Sequence, residues 1–378
     1  MAEIVIGGDI CPINRNLPYF EAGDAAALFN DLLVEFQRAD LSIVNLECPL
    51  IDKETPIRKS GPVLGAGRSV VQALRNAHIH IANLANNHIL DHGFEGYQST
   101  VSACKDASIA IVGGGENLQQ AREMLIREVG GVRLGILAYA EREFSIARAH
   151  LPGANPLDLA AFRRAIRHYK GQYDYLIVLL HGGIEHYSYP SPRLRDTCRF
   201  MIEEGAGAVI CQHSHCPGCY ENYENGHIVY GQGNLLFDRF PYRGEPFYQG
   251  FLVRLKVMAE PTSTILFIPY RQSDVQPGAR KMEPGAALQF MKEFNERSGK
   301  IASQDFVEAQ WEELCRKKKN EYFSALRGHS RPLRYLNRKM SFTDNIYTPQ
   351  GLLCLQNMIR CESHRETLET LLNGMLKG

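Results

Sequence analysis

The sequence predicts a layered α/β fold in which two apposed, mixed β-sheets are flanked by helices. Up to about residue 240, short apolar runs alternate with longer stretches whose apolar residues recur three and four positions apart. These are the patterns of buried strands and of amphipathic helices. Gly130 and Gly131 separate two apolar runs, and paired glycines supply the positive φ angles of a hairpin turn. Because hairpins pair antiparallel strands and strand–helix–strand units pair parallel ones, we expect mixed sheets.

The alternating region contains two successive series of elements. In the first series, strands are predicted at 4–7, 41–44, 79–83 and 108–112, helices at 25–37, 70–76 and 94–106, and a hairpin at 124–129 and 132–140. In the second series, helices are predicted at 159–169 and 194–204, strands at 175–180, 208–211 and 228–230, and a closing hairpin at 251–257 and 264–269.

The sequence changes after residue 271 to charged helical segments at 286–295, 304–326 and 352–372. We therefore predict a catalytic α/β domain over 1–271 and a helical C-terminal extension over 272–378. The extension is expected to pack on the α/β domain or to dock onto a partner protein. Basic clusters at 316–319 and 331–339 are interpreted as solvated helix faces rather than nucleic-acid contacts.

Composition narrows the class of protein. The 378 residues exceed the usual range of a single core, and 44% of them are hydrophobic. The 42 basic and 42 acidic residues cancel, so no overall field attracts nucleic acid or anionic lipid. No apolar run approaches the ~20 residues that span a bilayer, and no signal peptide is recognisable at the N-terminus. We expect a cytoplasmic protein without membrane insertion, whose ten dispersed cysteines are reduced.

Residues of the types that bind divalent metals follow predicted strands at five places. Since the carboxyl ends of parallel strands open onto one edge of a sheet, these side chains are expected to converge. Carboxylate, amide and imidazole together favour Mn, Fe, Zn or Ni over an all-oxygen calcium site or an all-thiolate zinc site. The sequence therefore predicts a hydrolytic centre with one or two divalent ions. The predicted metal ligands are Asp9, Glu47, Asn87, His181, His213 and His215.

Other polar residues are candidates for catalysis and substrate binding. His88, beside Asn87, is a candidate general acid for a departing alkoxide, and Asp91 or His92 is a candidate to orient it. Guanidinium and ammonium groups suit anionic substrates. The candidate substrate-binding residues are Arg58, Lys59, Arg193 or Arg195, Glu185 and Asn234.

Each of these residues also has a purely structural interpretation. Asp9 fits a turn or helix cap, Glu47 an exposed loop carboxylate, and Asn87 with His88 an Asx-turn. The arginines fit solvated surface charge. A rival metal site is suggested by Cys216 and Cys219, whose spacing matches half of a zinc knuckle, although the sequence contains no second Cys-x-x-Cys.

Six motifs resemble, in order, those of the bacterial capsule-synthesis CapA family, also called the poly-γ-glutamate capsule family. The motifs are Gly8-Asp9, Asn45-Leu-Glu-Cys-Pro-Leu50, Ala85-Asn-Asn-His-Ile-Leu-Asp-His-Gly93, His181-Gly-Gly-Ile-Glu185, Gln212-His-Ser-His215 and Tyr230-Gly-Gln-Gly-Asn-Leu-Leu-Phe-Asp238. That family resembles the calcineurin-like metallophosphatases, which have a four-layer fold of two mixed sheets between helices and a dinuclear metal centre.

The resemblance implies a role for each matching residue. Asp9, Glu47 and His215 would serve the first metal, with Glu47 bridging. Asn87, His181 and His213 would serve the second, with His88 as proton donor. Metallophosphatases usually have a histidine two residues after the first aspartate, and this chain has Cys11 there. Either Cys11 coordinates and favours a softer ion, or the first site has fewer ligands.

The expected activity is that of a metal-dependent phosphoesterase in capsule, exopolysaccharide or poly-γ-glutamate biosynthesis. Its substrate would be a small-molecule or polymer-end phosphoester. One alternative is a non-catalytic binding or scaffold subunit that docks a capsule-synthesis partner through its C-terminal helices. Another is an accessory subunit of an ATP-dependent poly-γ-glutamate ligase. The sequence contains no Gly-x-x-x-x-Gly-Lys-Ser/Thr phosphate loop, so ligation by this chain itself is not expected.

Overall fold

The computed structural model describes residues 1–326 apart from 60, 242 and 259–261, then residues 331–340 and scattered positions between 348 and 372. The chain divides into two compact units, Met1–Glu308 and Ala309–Gly378. Within the described residues, no helix combines the length and the apolar character needed to cross a membrane.

The strands of the described residues all lie in the first unit. In chain order they are β1 (Ala2–Cys11), β2 (Leu41–Leu46), β3 (Leu50–Ile51), β4 (Ala66–Gly67), β5 (Ile81–Asn83), β6 (Ala110–Val112), β7 (Gly114–Gly115), β8 (Leu125–Val129), β9 (Val132–Ala140), β10 (Gly153–Ala154), β11 (Tyr175–His181), β12 (Ala208–Gln212), β13 (Tyr220–Tyr223), β14 (Gly226–Val229), β15 (Asn234–Phe237), β16 (Gln249–Val257), β17 (Ser263–Gln272) and β18 (Ala279–Lys281).

Helices separate and follow these strands. The α-helices are α1 (Leu17–Glu21), α2 (Ala25–Phe29), α3 (Leu33–Arg38), α4 (Val71–Asn76), α5 (Gly93–Asp106), α6 (Leu118–Ala121), α7 (Leu159–His168), α8 (Pro192–Glu203), α9 (Pro284–Lys300), α10 (Gln304–Leu326) and α11 (Arg331–Met340). Short 3-10 helices occupy Asn14–Asn16, Asn30–Leu32, Arg68–Val70 and Glu245–Tyr248.

The larger sheet is mixed, as predicted. Its order is β18-β17-β16-β1-β2-β5-β6, and β15 also pairs with β1. Strand β1 runs parallel to β2 and β15 but antiparallel to β16. The predicted hairpin between β16 and β17 is confirmed. Strand β1 is buried along its length, with Ile4, Val5 and Ile6 fully enclosed, so the centre of this sheet lies inside the protein.

The second sheet is also mixed, with the order β13-β14-β12-β11-β9-β8. Strands β9, β11, β12 and β14 are parallel, and the predicted hairpin of β8 and β9 forms one edge. Alternate residues of β11 face different cores. Ile177 and Leu179 join the core shared with the larger sheet, whereas Val178 and Leu180 join the core that includes residues of α7 and α8. The predicted arrangement of apposed sheets with helices outside is therefore confirmed.

The predicted helix over 25–37 is wrong as a continuous element. It is interrupted at Asn30, whose φ is +45°, and the chain continues through a 3-10 turn into α3. The Asn30 amide donates hydrogen bonds to the carbonyls of Ala27 at 2.9 Å and Ala279 at 3.2 Å. Because asparagine tolerates the left-handed region and binds the backbone locally, these contacts end α2.

Residues 272–308 pack within the first unit. Strand β18 pairs with β17, and the α9 residue Phe294 lies edge-on to Phe251 and Phe267, with ring centroids 5.0 and 4.9 Å away. Packing thus divides the chain at residue 308. Confinement of the chemistry to 1–271 stays a prediction, as does docking through 272–378. Most of the predicted helix over 352–372 lies outside the described residues.

Candidate metal centre

The predicted metal ligands meet at the carboxyl ends of parallel strands from both sheets. Asp9 lies near the end of β1, and Glu47 directly follows β2. His181 ends β11, while His213 and His215 follow β12. All five side chains are buried. The open edge shared by the two sheets therefore brings together residues more than 200 positions apart in the sequence.

These residues form two groups with the composition of divalent-metal sites. Glu47, His181 and His213 form one group, and Asp9, Glu47 and His215 form the other; the ligand atoms of each lie within 4.8 Å of one another. Oε1 of Glu47 lies 3.4 Å from Nε2 of His181 and 3.8 Å from Nε2 of His215. Glu47 thus belongs to both groups, which is the position of a bridging ligand.

The Glu47 carboxylate is buried, and none of the described residues donates a hydrogen bond to it. Among the described residues, neither carboxylate oxygen has a hydrogen-bond partner. Burial, followed by the nearby charge of Asp9, raises the pKa of Glu47 well above its usual range. A buried carboxylate without partners is costly, and a cation removes that cost. The donor set of two carboxylates and three imidazoles therefore fits a divalent metal ion.

Asp9 is held in place by neighbouring polar groups. Its Oδ1 accepts a hydrogen bond of 2.7 Å from the Asn45 amide, and its Oδ2 accepts one of 3.2 Å from the backbone N–H of His213. Burial nevertheless raises the pKa of Asp9 to about 6. Asn45 was not predicted as a site residue. It lies opposite Asp9 in the parallel pairing of β1 and β2. The sequence alone does not show which residues of the two strands lie opposite each other.

Two of the clustered histidines, His181 and His215, favour their neutral, metal-binding form. Burial, followed by the neighbouring imidazoles, lowers the pKa of both His181 and His215 well below the usual value. Nδ1 of His215 is 2.8 Å from Oδ1 of Asn234, which orients the ring. His213 and His215 adopt φ angles of +94° and +52°, which are unusual for residues with a side chain. Such backbone strain clusters at functional sites.

Asn87 faces the same cluster. Its side-chain oxygen lies 3.1 Å from Nε2 of His181, and its amide nitrogen donates to Glu143 at 3.0 Å. Because Glu143 accepts from the nitrogen, the oxygen is directed at the imidazole and is available as a ligand. Glu143 was not predicted as a site residue.

His88 forms a buried network with Asp91 and Lys59. Nδ1 of His88 lies 2.6 Å from Oδ2 of Asp91, and the Lys59 ammonium donates to Oδ1 of Asp91 at 2.6 Å. The backbone N–H of Leu64 also donates to Asp91. Since Asp91 accepts from Nδ1, the other ring nitrogen of His88 is the one available for proton transfer. This is the orienting contact predicted for Asp91.

A pocket adjoins the metal cluster and includes some of the predicted substrate-binding residues. Lys59, Glu185, Asn87, His88 and His215 contribute to its walls. Arg58 and Arg193 lie outside this lining, and Arg193 is paired with Glu141. Asn234 contacts His215 rather than the pocket, and the buried Arg195 donates to the carbonyl of Ile301. Two lining residues that sequence reasoning missed are Arg239 and Arg243.

The cysteines raised in the sequence analysis lie outside the two ligand groups of the described residues. Cys11 is buried on β1, and burial together with a hydrogen bond to Cys48 raises its pKa well above the usual range. Cys219 donates to the carbonyl of Ser188 at 3.2 Å, and Cys216 contacts the hydroxyl of Ser188. Both have the contacts of buried structural thiols.

Comparison with protein families identifies the chain. The family profile described as bacterial capsule synthesis protein PGA_cap matches residues 3–239, which include every member of the metal cluster. The chain belongs to the PGA_cap family. The resemblance stated from the six motifs is thereby confirmed, and the matched residues of this PGA_cap protein carry the two ligand groups.

Curated relatives have capsule-related names. The PGA_cap protein is 32% identical over 182 residues to the capsule biosynthesis protein CapA of Bacillus anthracis, covering 47% of this chain and 44% of the relative. It is 27% identical to the PGA biosynthesis protein CapA of Bacillus subtilis, covering 58% and 59%. A probable polyglutamine synthesis accessory protein of Mycobacterium tuberculosis is 30% identical, with 68% of each chain covered. The matches thus span about half the length of the two CapA proteins.

Solved structures that align with this chain have low sequence identity to it. A hypothetical protein from Thermus thermophilus is 16% identical, covers 70% of this chain and 99% of its own, and has a TM-score of 0.42. A 5'-nucleotidase from Candida albicans is 10% identical, covers 84% of this chain and 58% of its own, and has a TM-score of 0.41.

Proposed function

We propose that this PGA_cap protein is a divalent-metal-dependent phosphoesterase that acts in the biosynthesis of a bacterial capsule or of poly-γ-glutamate. One observation carries the proposal: both carboxylate oxygens of Glu47 are buried between three imidazoles and Asp9, and no residue in the described part of the chain forms a hydrogen bond with them. This arrangement is unfavourable for the protein alone and favourable around a cation. The relatives' capsule-related names support the biological setting.

Different residues of the chain would bind the metal ions and transfer the proton during hydrolysis. Asp9, Glu47 and His215 would hold one ion, and Glu47, Asn87, His181 and His213 the other. A bound divalent ion supplies Lewis-acid polarisation of a phosphoryl oxygen.

His88 would donate a proton to the departing alkoxide from the ring nitrogen that does not face Asp91. Asp91 would fix the tautomer and the orientation of the ring by accepting from Nδ1 at 2.6 Å. Lys59 pairs with Asp91 and holds that carboxylate in place.

The test combines metal analysis with phosphoester turnover. The full chain is assayed for Mn, Fe, Ni and Zn by elemental analysis, and for hydrolysis of p-nitrophenyl phosphate and bis(p-nitrophenyl) phosphate. We expect bound metal and measurable turnover. His213→Asn should lower both metal content and turnover. His88→Asn should leave metal content unchanged and lower turnover by roughly 100-fold or more.

The exposed His150 provides a control, since His150→Gln should change neither property. Stoichiometric metal without turnover of either ester would refute the hydrolase and favour a binding role. A protein that holds no metal after growth and purification in metal-supplemented medium would refute the metal centre itself.

A further inference from the structure

Arg239 and Arg243 stand out because neither forms an ion pair with an acidic residue that the structure describes. Both line the pocket beside His88 and His215. Among the described residues, neither guanidinium forms a hydrogen bond or an ion pair, whereas Arg15, Arg193 and Arg271 are each paired with an acidic residue.

The nearest acidic residues in the sequence already have other partners. Asp238, which precedes Arg239, forms an ion pair of 2.7 Å with Arg15. Glu245, two residues after Arg243, forms one of 3.0 Å with Arg271. The segment 238–245 therefore carries two acids and two arginines, and both acids are directed at arginines from elsewhere in the chain. Arg239 and Arg243 therefore have no acidic partner within this segment, and their charges face the pocket that they line.

Aromatic rings support both guanidinium groups. Arg239 lies over Phe237 at 5.4 Å from the ring centroid, and Arg243 over Phe247 at 5.7 Å. Both rings are buried and pack against His215, with centroids 5.3 and 5.9 Å from the imidazole. Stacking on a ring limits the motion of a guanidinium and leaves its N–H groups free to donate. The two charges are thus held next to a predicted metal ligand.

The two acidic residues that line the same pocket contact side chains other than these two arginines. Glu143 accepts a hydrogen bond from Asn87, and Glu185 lies 4.0 Å from His186. Lys59, the remaining cation of the lining, is paired with Asp91. Within the described part of the chain, Arg239 and Arg243 are therefore the lining cations that form no ion pair with an acidic residue.

We infer that Arg239 and Arg243 form an anion subsite that binds a second negatively charged group of the substrate, beside the group held at the metal cluster. The inference rests on the proposed function for the position of the reacting group. The preferred substrates would be polyanions in which two charged groups lie close together. Guanidinium binds phosphate and carboxylate alike, so the second group is either a further phosphate or a free α-carboxylate of a γ-linked glutamate chain.

The test measures binding by isothermal titration calorimetry on the full chain as purified, with metal content determined for each sample. The probes are orthophosphate, pyrophosphate and γ-linked triglutamate. Arg239→Met and Arg243→Met should each weaken binding of the preferred polyanion at least tenfold, while orthophosphate binding changes less than threefold. Arg239→Lys and Arg243→Lys should recover part of the loss, because charge returns without the planar, bidentate geometry.

Arg75→Met is the matched control, because it removes one positive charge from the exposed end of α4 and should leave all three affinities unchanged. Tighter binding of pyrophosphate by the unmodified chain would assign the subsite to phosphate, and tighter binding of triglutamate would assign it to carboxylate. Equal polyanion affinity in the unmodified chain and both methionine variants would overturn the subsite, as would binding of neither polyanion. Because binding is measured without turnover, failure of the hydrolase proposal alone would leave these differences intact.

Discussion

Oε1 of Glu47 lies 3.4 Å from Nε2 of His181, yet neither carboxylate oxygen of Glu47 has a hydrogen-bond partner among the described residues. A contact of that length between a carboxylate and an imidazole is too long to satisfy a buried charge well. Both groups instead face a common point with His213. The arrangement is that of ligands held ready for an ion, since two groups that served each other would lie closer together.

Glu47→Gln should therefore separate metal binding from folding. The neutral amide binds cations poorly, so metal content should fall by at least half, measured by elemental analysis. The metal-stripped variant should be more stable than the metal-stripped parent, by about 1–3 kcal/mol in urea unfolding, because a buried unpaired carboxylate has been removed. Glu128→Gln on the exposed face of β8 is the control. An unchanged metal content would argue against Glu47 as a bridging ligand.

Asp91→Asn tests whether the buried network of His88 has separate structural and catalytic roles. Lys59 and Asp91 have side-chain exposures of 2% and 0%, so removing one charge leaves the other buried and unpaired. We expect the single variant to lose about 3–5 kcal/mol of stability and to lower turnover roughly 100-fold.

The double variant Asp91→Asn with Lys59→Met removes both charges. Thermal or urea unfolding should show that most of the stability returns, whereas turnover should stay at the level of Asp91→Asn, with metal content unchanged throughout. Recovery of turnover together with stability would mean that Asp91 acts on folding alone and does not orient His88.

Residues at the ends of long, regular strands could be predicted from the sequence. His181 follows an uninterrupted apolar run and His213 follows another, so their positions at the sheet edge depend only on recognising the strands. Asn45 could not be predicted in this way. It lies within β2, and its contact with Asp9 depends on the register between two strands, which is fixed by packing across the whole sheet.

Arg239 and Arg243 were missed for a related reason. They follow β15, a four-residue strand that the sequence analysis did not predict. Their approach to His88 depends on how the loop folds back over the pocket. Lys59 was predicted as a substrate contact, and its ion pair with Asp91 could not be foreseen because the partners are 32 residues apart in loops. Strand periodicity thus defines the edge of the site, and loop packing defines its lining.

Acid sensitivity should arise in part from His227, which lies away from the metal cluster. Its Nε2–H donates to the carbonyl of Ser263 at 3.4 Å, so Nδ1 accepts from the Tyr220 hydroxyl at 2.9 Å. This network requires the neutral ring, and burial lowers the pKa of His227 below 6.5. The unfolded chain therefore takes up the proton first as the pH falls. The contribution is fully present above pH 6.5 and is lost as the pH drops toward the folded-state value.

Urea unfolding at pH 7.5 and pH 5.5 measures this contribution. His227→Gln keeps a donor and an acceptor but does not titrate, so its stability should fall less between the two pH values. The difference from the parent should be no more than about 1 kcal/mol. His150→Gln, at an exposed position, should follow the parent. A parallel decline for His227→Gln and the parent would remove His227 as a source of acid sensitivity.

Gly8 should be intolerant of substitution because β1 and the segment before β15 approach closely there. A Cβ atom at Gly8 would lie 2.0 Å from the backbone carbonyl oxygen of Gly233, which cannot move as a side chain can. Gly8→Ala should therefore force the strands apart and cost about 2 kcal/mol or more in urea unfolding. Since Asp9 is the next residue, metal content should fall as well.

Gly67→Ala is the matched control. The φ of Gly67 is −64°, which suits alanine, and the atom nearest to an added Cβ lies 3.9 Å away. The stability of this variant should therefore stay within about 1 kcal/mol of the parent. If Gly8→Ala proved as stable as Gly67→Ala, with full metal content, the close approach of these strands would not be what holds Asp9 at the cluster.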